Sequence, residues 1–167
     1  MSERRLLPVL LTIALLAAVG GMAANSGDDD REFKAVLSGA NEVPTPIVTA
    51  ASGKAEFEVN RDQTKIKFEL TIRNATDIFS GDNGAHIHCA AKGVNGPIVA
   101  HLEGPIPGGF DGKVEIEATL TAANITNPAC GATIADLVQS MRDGRTYVNA
   151  HSLAFPGGEI RGQIEGD

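Results

Sequence analysis

The chain has 167 residues, of which 43% are hydrophobic, 21% charged and 4% aromatic, with 19 Gly and 8 Pro. That length holds one domain of ordinary size, and the apolar fraction is too high for a disordered chain. A formal charge of −7, the absence of Trp and a single Tyr exclude a basic phosphate-binding face and the stacking platforms of single-strand binders, so no nucleic-acid partner is expected.

Arg4 and Arg5 precede an almost unbroken apolar run over residues 6–19, which closes on small residues up to Ala24. This order of basic, apolar and small residues is the layout of a secretory signal peptide, expected over residues 1–24. The run is shorter than the roughly 20 apolar residues of a spanning helix and contains Pro8, so a membrane partner is expected only if the segment stays uncleaved. Residues 25–31, opening NSGDDD, read as a flexible acidic spacer, and residues 32–165 as one domain. The mature protein is expected outside the cytoplasm, secreted or held at the cell surface or in a periplasm. Two triplets, Asn74-Ala75-Thr76 and Asn124-Ile125-Thr126, match the glycosylation sequon.

From residue 33 onward the pattern is that of strands. Phe33, Ala35 and Leu37 alternate with Lys34 and Val36, and Ala55, Phe57 and Val59 with Lys54, Glu56 and Glu58. Ile66, Phe68, Leu70 and Ile72 alternate with Lys65, Lys67, Glu69, Thr71 and Arg73. Period two of this quality predicts strands with one buried and one wet face. Residues 60–64 (NRDQT) read as a hairpin turn between the last two. Further strands are expected over residues 85–89, 98–102, 113–120, 147–151 and 159–164, divided by Gly, Pro, Asn and Asp clusters that read as turns. One segment changes period: Ile134, Leu137, Val138 and Met141 fall at helical spacing. Thr133 with Asp136 suits a capping box, and Gly144 the position after the helix. The strand pattern is that of an antiparallel β-sandwich or small barrel with one helical connection, and the expected fold is all-β, an antiparallel β-sandwich of about eight strands with one short helix, immunoglobulin-like or of the copper–zinc superoxide dismutase type.

Strand parity assigns the histidines. In Ala85-His86-Ile87-His88-Cys89 the apolar residues point one way, so His86 and His88 share the other face, about 6–7 Å apart along the strand. In Tyr147-Val148-Asn149-Ala150-His151, His151 shares a face with Asn149 and Tyr147. If the two strands are neighbours, three imidazoles meet, a donor set with an open position that suits copper, with zinc as the alternative. The blander reading is that these histidines hydrogen-bond to neighbouring strands and loops. His101, on the polar parity of its strand, is read as a surface residue or an additional ligand. Glu159 and Arg161, on one strand face, are read as a structural salt bridge or, with His101, as an additional ligand or support behind the ligands.

Cys89 and Cys130 are the only cysteines. In an exported chain an even pair is most simply a disulfide. A thiolate metal ligand is the alternative, disfavoured because the parity of Cys89 points it away from both histidines. No nucleophile elbow, phosphate-cradling glycine loop or dinucleotide fingerprint is present, and no catalytic residue is assigned.

Residues 33–44 (FKAVLSGANEVP), 85–88 (AHIH), 93–97 (GVNGP) and 147–164 (YVNAHSLAFPGGEIRGQI) resemble, in that order, the CHRD (chordin) domain family, a module repeated in chordin and found alone in many exported microbial proteins. The resemblance implies a one-domain β-sandwich. It places the family's recurring positions at His86, His88, His151, Gly158, Glu159, Ile160, Arg161 and Gly162. A more distant likeness to copper–zinc superoxide dismutase covers only the architecture and the His86–His88 pair, and a fold analogy licenses no activity. Three functions follow as expectations. The first is an exported module that binds copper through His86, His88 and His151. The second is an extracellular protein-interaction module with structural histidines. The third, weakest, is a dismutase-like redox enzyme.

Overall fold

Alternation governs the first strands of the computed structural model, which describes residues 29–80 and 84–167. β1 (Glu32–Ser38), β2 (Ser52–Val59) and β3 (Ile66–Ile78) bury alternate residues along their paired stretches, from Phe33, Ala55 and Ile66 inward. The hairpin between β2 and β3 turns on Asn60, whose Oδ1 accepts from the Thr64 and Lys65 amides at 2.9 and 2.8 Å. β3 runs further than its alternation predicts. Two irregularities, between Ile72 and Ala75 and between Ala75 and Ile78, put Asn74 and Asp77 at φ of 54° and 53° and break the period without ending the strand.

The remaining strands are β4 (Ala85–Cys89), β5 (Ile98–Glu103), β6 (Phe110–Leu120), β7 (Thr146–Ala150), β8 (Ile160–Gln163) and the two-residue β9 (Glu165–Gly166). All pair antiparallel in one sheet of order β5-β4-β7-β8-β1-β2-β3-β6, with β9 added to β1. An isolated bridge from Ala100 to Ile125 draws the two ends of the sheet together, so that it curls nearly shut. The fold is all-β, as expected. Its interior holds Leu70, Ile72, Ile87, Val148 and Ile160, all fully buried. Burial of such side chains contributes roughly 1.5–3 kcal/mol each.

One helix, α1 (Ile134–Arg142), precedes β7 and buries Leu137, Val138 and Met141. Its capping box is formed: the Asp136 amide donates to Thr133 Oγ1 and the Thr133 amide to the Asp136 carboxylate, each at 3.1 Å. Gly144 follows at φ 64°. Cys89, at the end of β4, and Cys130, just before α1, form the expected disulfide, with Cα atoms 5.7 Å apart.

The expected signal segment lies outside the described residues, as does most of the spacer. Asp29–Arg31 forms a single 3-10 turn on the edge of the domain, where Asp30 O accepts from Arg142 at 3.0 Å. Among the described residues no helix is long and apolar enough to cross a membrane.

Two strands depart from the one-face rule. Every residue of β4 and of β7 is buried. Ala85, Ile87, Val148 and Ala150 face the core, and the opposite face, expected to be wet, lies under the loops of residues 92–97 and 156–159.

Candidate metal centre

The covered face of β4 and β7 carries the histidines. The register sets Asn149 opposite His86 and Tyr147 opposite His88. His151 lies one residue past β7, and its amide donates to Gly84 O at 3.2 Å, which prolongs the pairing. The ring centroids of His86 are 5.9 Å from His88 and 5.1 Å from His151, and those of His88 and His151 are 6.1 Å apart. The three rings each offer a nitrogen, and these nitrogens lie within 4.8 Å of one another, in side chains only 3–8% exposed. Three atoms so spaced share a point no farther than about 2.8 Å from any of them, against a metal–nitrogen bond of about 2.0–2.1 Å.

The hydrogen bonds of the rings fix which nitrogens are free. A carbonyl has no proton to give, so His88 Nδ1 donates to Gly96 O at 3.0 Å and His151 Nδ1 to Pro156 O at 3.1 Å. In a neutral ring this leaves Nε2 with its lone pair, the arrangement by which a backbone carbonyl orients a metal-binding imidazole. Both Nε2 atoms are buried with no hydrogen-bond partner among the described residues, and so is His86 Nδ1. A lone polar atom left unpaired in this way costs roughly 1–3 kcal/mol. Three of them, converging, are an unusual concentration.

Burial also sets the charge. It pushes His86 down to about 3, with the neighbouring His151, His101 and His88 adding to the shift. It pushes His88 down to about 4 against the bond to Gly96, and lowers His151 against the bond to Pro156. All three rings are neutral, the ligand form, at neutral pH.

Behind His88 the side chains are stacked. The Tyr147 ring lies 4.8 Å from His88 at 14°, and the Arg161 guanidinium sits 3.4 Å over the other part of the stack, on Tyr147. Arg161 also donates to Val94 O at 2.6 Å and Asn95 Oδ1 at 2.9 Å, and the Gly96 amide donates to the Tyr147 hydroxyl at 3.2 Å. Residues 92–97 are therefore clamped onto the sheet. Position 96 admits only glycine, because a Cβ there would collide with the Cys89 carbonyl.

A buried carboxyl completes this face. Glu42 is 5% exposed, and desolvation raises its pKa to about 7, opposed by Arg161 and by a hydrogen bond from Asn149. Glu42 Oε1 and Asn149 Oδ1 lack partners among the described residues.

The expected residues thus fall into two groups. His86, His88 and His151 come together. His101 lies beside them: it is exposed on β5, opposite His86 in register with ring centroids 4.7 Å apart, and is not among the three whose nitrogens lie within 4.8 Å of one another. The expected Glu159–Arg161 salt bridge is not formed, since Arg161 is engaged by Tyr147, Val94 and Asn95, while Glu159 Oε1 accepts from Thr49 at 2.6 Å. Glu159 lies just before β8, where the strand parity that suggested the pair does not apply. The disulfide removes both cysteines as ligands. Asn95 and Glu42 were not singled out from sequence. The GVNGP segment around Asn95 reads as a turn and the NEVP segment around Glu42 enters only through the family resemblance, and only the folded chain shows which strand face they cover.

With this geometry in place, comparison with known proteins assigns the class. The CHRD domain family model matches residues 33–164, and the chain belongs to that family. No curated protein and no solved structure matches the chain.

Proposed function

We propose that this CHRD domain is an extracytoplasmic module that binds one transition-metal ion, copper before zinc, through His86, His88 and His151. The observation that carries the reading is the convergence of three buried imidazoles, each offering a nitrogen within 4.8 Å of the others and each keeping a buried nitrogen with no hydrogen-bond partner among the described residues. Copper ranks first because divalent affinity for nitrogen sites peaks at Cu²⁺. A bound ion would keep an open coordination position for water or a small ligand. Export is supported by the disulfide and by the basic-apolar leader of the sequence.

A second reading, a protein-interaction module, is favoured by the bonds from His88 and His151 to Gly96 and Pro156, which also serve to hold loops. Equilibrium dialysis separates the two. The purified protein should retain one Cu²⁺ per chain at pH 7.5, and should release it only in acid, as pH falls to about 4, where His88 protonates. His88→Ala and His151→Ala should each abolish tight binding. Unchanged copper affinity in the His86→Ala/His88→Ala double variant, with a lowered Tm alone, would support structural histidines.

A further inference from the structure

His101 is the exposed histidine of the chain, yet its ring packs against the buried cluster. It stands opposite His86 in the β4–β5 register, with ring centroids 4.7 Å apart at 88°. The three clustered histidines are at least nine-tenths buried, so an ion arriving from water must be passed inward. The carbonyls of Gly96 and Pro156 hold His88 and His151 by their Nδ1 atoms, so loops 92–97 and 156–159 lie against two of the rings. The Arg161–Tyr147 stack lies against His88. The approach along β5 is the one that carries an exposed imidazole in contact with a member of the cluster.

We propose that His101 is the entry ligand of this site: an exposed imidazole that captures the ion from solvent and hands it to His86, without belonging to the final ligand set. The inference rests on the metal-binding reading above. Its chemistry is stepwise ligand exchange. A hydrated cation moved bare into a buried cavity would lose its water all at once, a large electrostatic cost. Exchange of one water for His101, and then of His101 for His86 while the remaining water is replaced by His88 and His151, keeps the ion coordinated throughout. Each exchange breaks one metal–ligand bond as the next forms, and the oxidation state of the ion does not change. Microscopic reversibility adds a constraint. A group that acts only along the path speeds entry and exit by the same factor and leaves the equilibrium untouched.

The chain supplies its own reporter. Tyr147 is the single tyrosine of a Trp-free sequence and stacks on His88, so Cu²⁺, a paramagnetic ion, should quench its fluorescence on arrival. Stopped-flow mixing of the protein with Cu²⁺ should show uptake slowed at least about tenfold in His101→Gln, and chelator-driven release slowed by a similar factor, with the equilibrium affinity unchanged within about twofold. His101 is exposed, so the variant should fold as the parent does. Unaltered uptake and release rates in His101→Gln would overturn the entry role. Affinity weakened tenfold or more would overturn it too, by making His101 a resident ligand. Failure of the parent protein to take up Cu²⁺ at all would instead refute the site itself, and the entry role with it.

Discussion

Two kinds of buried titratable group share the covered face, and they respond to pH in opposite directions. The imidazoles of His86 and His88 are held at about 3 and 4 in the folded chain, against about 6.5 when unfolded. As pH falls through 6.5 the unfolded chain binds protons that the folded chain refuses, so their contribution to stability is lost towards acid. Glu42 is the reverse case. Its carboxyl is raised to about 7 from an unfolded value of 4.5, so between those values the folded chain keeps a proton that the unfolded chain has released. Its penalty therefore grows as pH rises and is fully present above about 7. Replacing Glu42 by Gln removes that titration and keeps an oxygen that can accept from Asn149. Glu42→Gln should raise Tm at pH 8 by several degrees, on a scale of roughly 2–4 °C per kcal/mol, and change it little at pH 4.5. Thermal melts at the two pH values check this. An equal shift at both would mean that the carboxyl does not ionise on this face.

At the scale of elements, loop 92–97 matters most, because a strand pair alone would leave the histidines wet. The loop is fastened by Arg161 from β8, by Tyr147 from β7 and by His88 from β4, so three strands converge on one turn. Lysine at position 161 would preserve the charge but not the two-pronged bond to Val94 and Asn95, nor the planar stacking on Tyr147. Arg161→Lys should cost roughly 1–3 kcal/mol in chemical denaturation and weaken copper binding through the loosened His88. A variant with full stability and full copper affinity would show that the clamp contributes nothing. The same loop marks the limit of sequence reading. Strand parity was enough to group His86 with His88 and His151 with Asn149, and local rules were enough for α1, its capping box and the 60–64 hairpin. Each of these depends on residues within a few positions of one another. The neighbour relation of β4 and β7 depends on residues about 60 positions apart. The cover supplied by Gly96, Pro156 and Glu42 depends on loops whose glycines state only that the chain turns. The Glu159–Arg161 pair failed for a related reason: parity holds inside a strand, and Glu159 is just outside one.

For the whole molecule, the disulfide and the proposed metal site would stabilise the fold by independent routes. Cys89 closes a loop of 41 residues to Cys130 and constrains the unfolded chain, a contribution of about 4 kcal/mol in the chain-entropy model. It does so from the core-facing parity of β4, while the histidines project from the opposite face. A bound ion acts on the folded chain alone and stabilises it by mass action, about 2.7 kcal/mol when free metal is 100 times the Kd. Contributions from separate places that share no partner add. The double variant Cys89→Ala/Cys130→Ala should therefore melt roughly 10 °C or more below the parent, while saturating Cu²⁺ raises the Tm of both by the same increment. Differential scanning calorimetry with and without Cu²⁺ measures all four values. A copper increment that vanishes in the double variant would show that the disulfide holds β4 in the register the histidines require, and that the two routes are one.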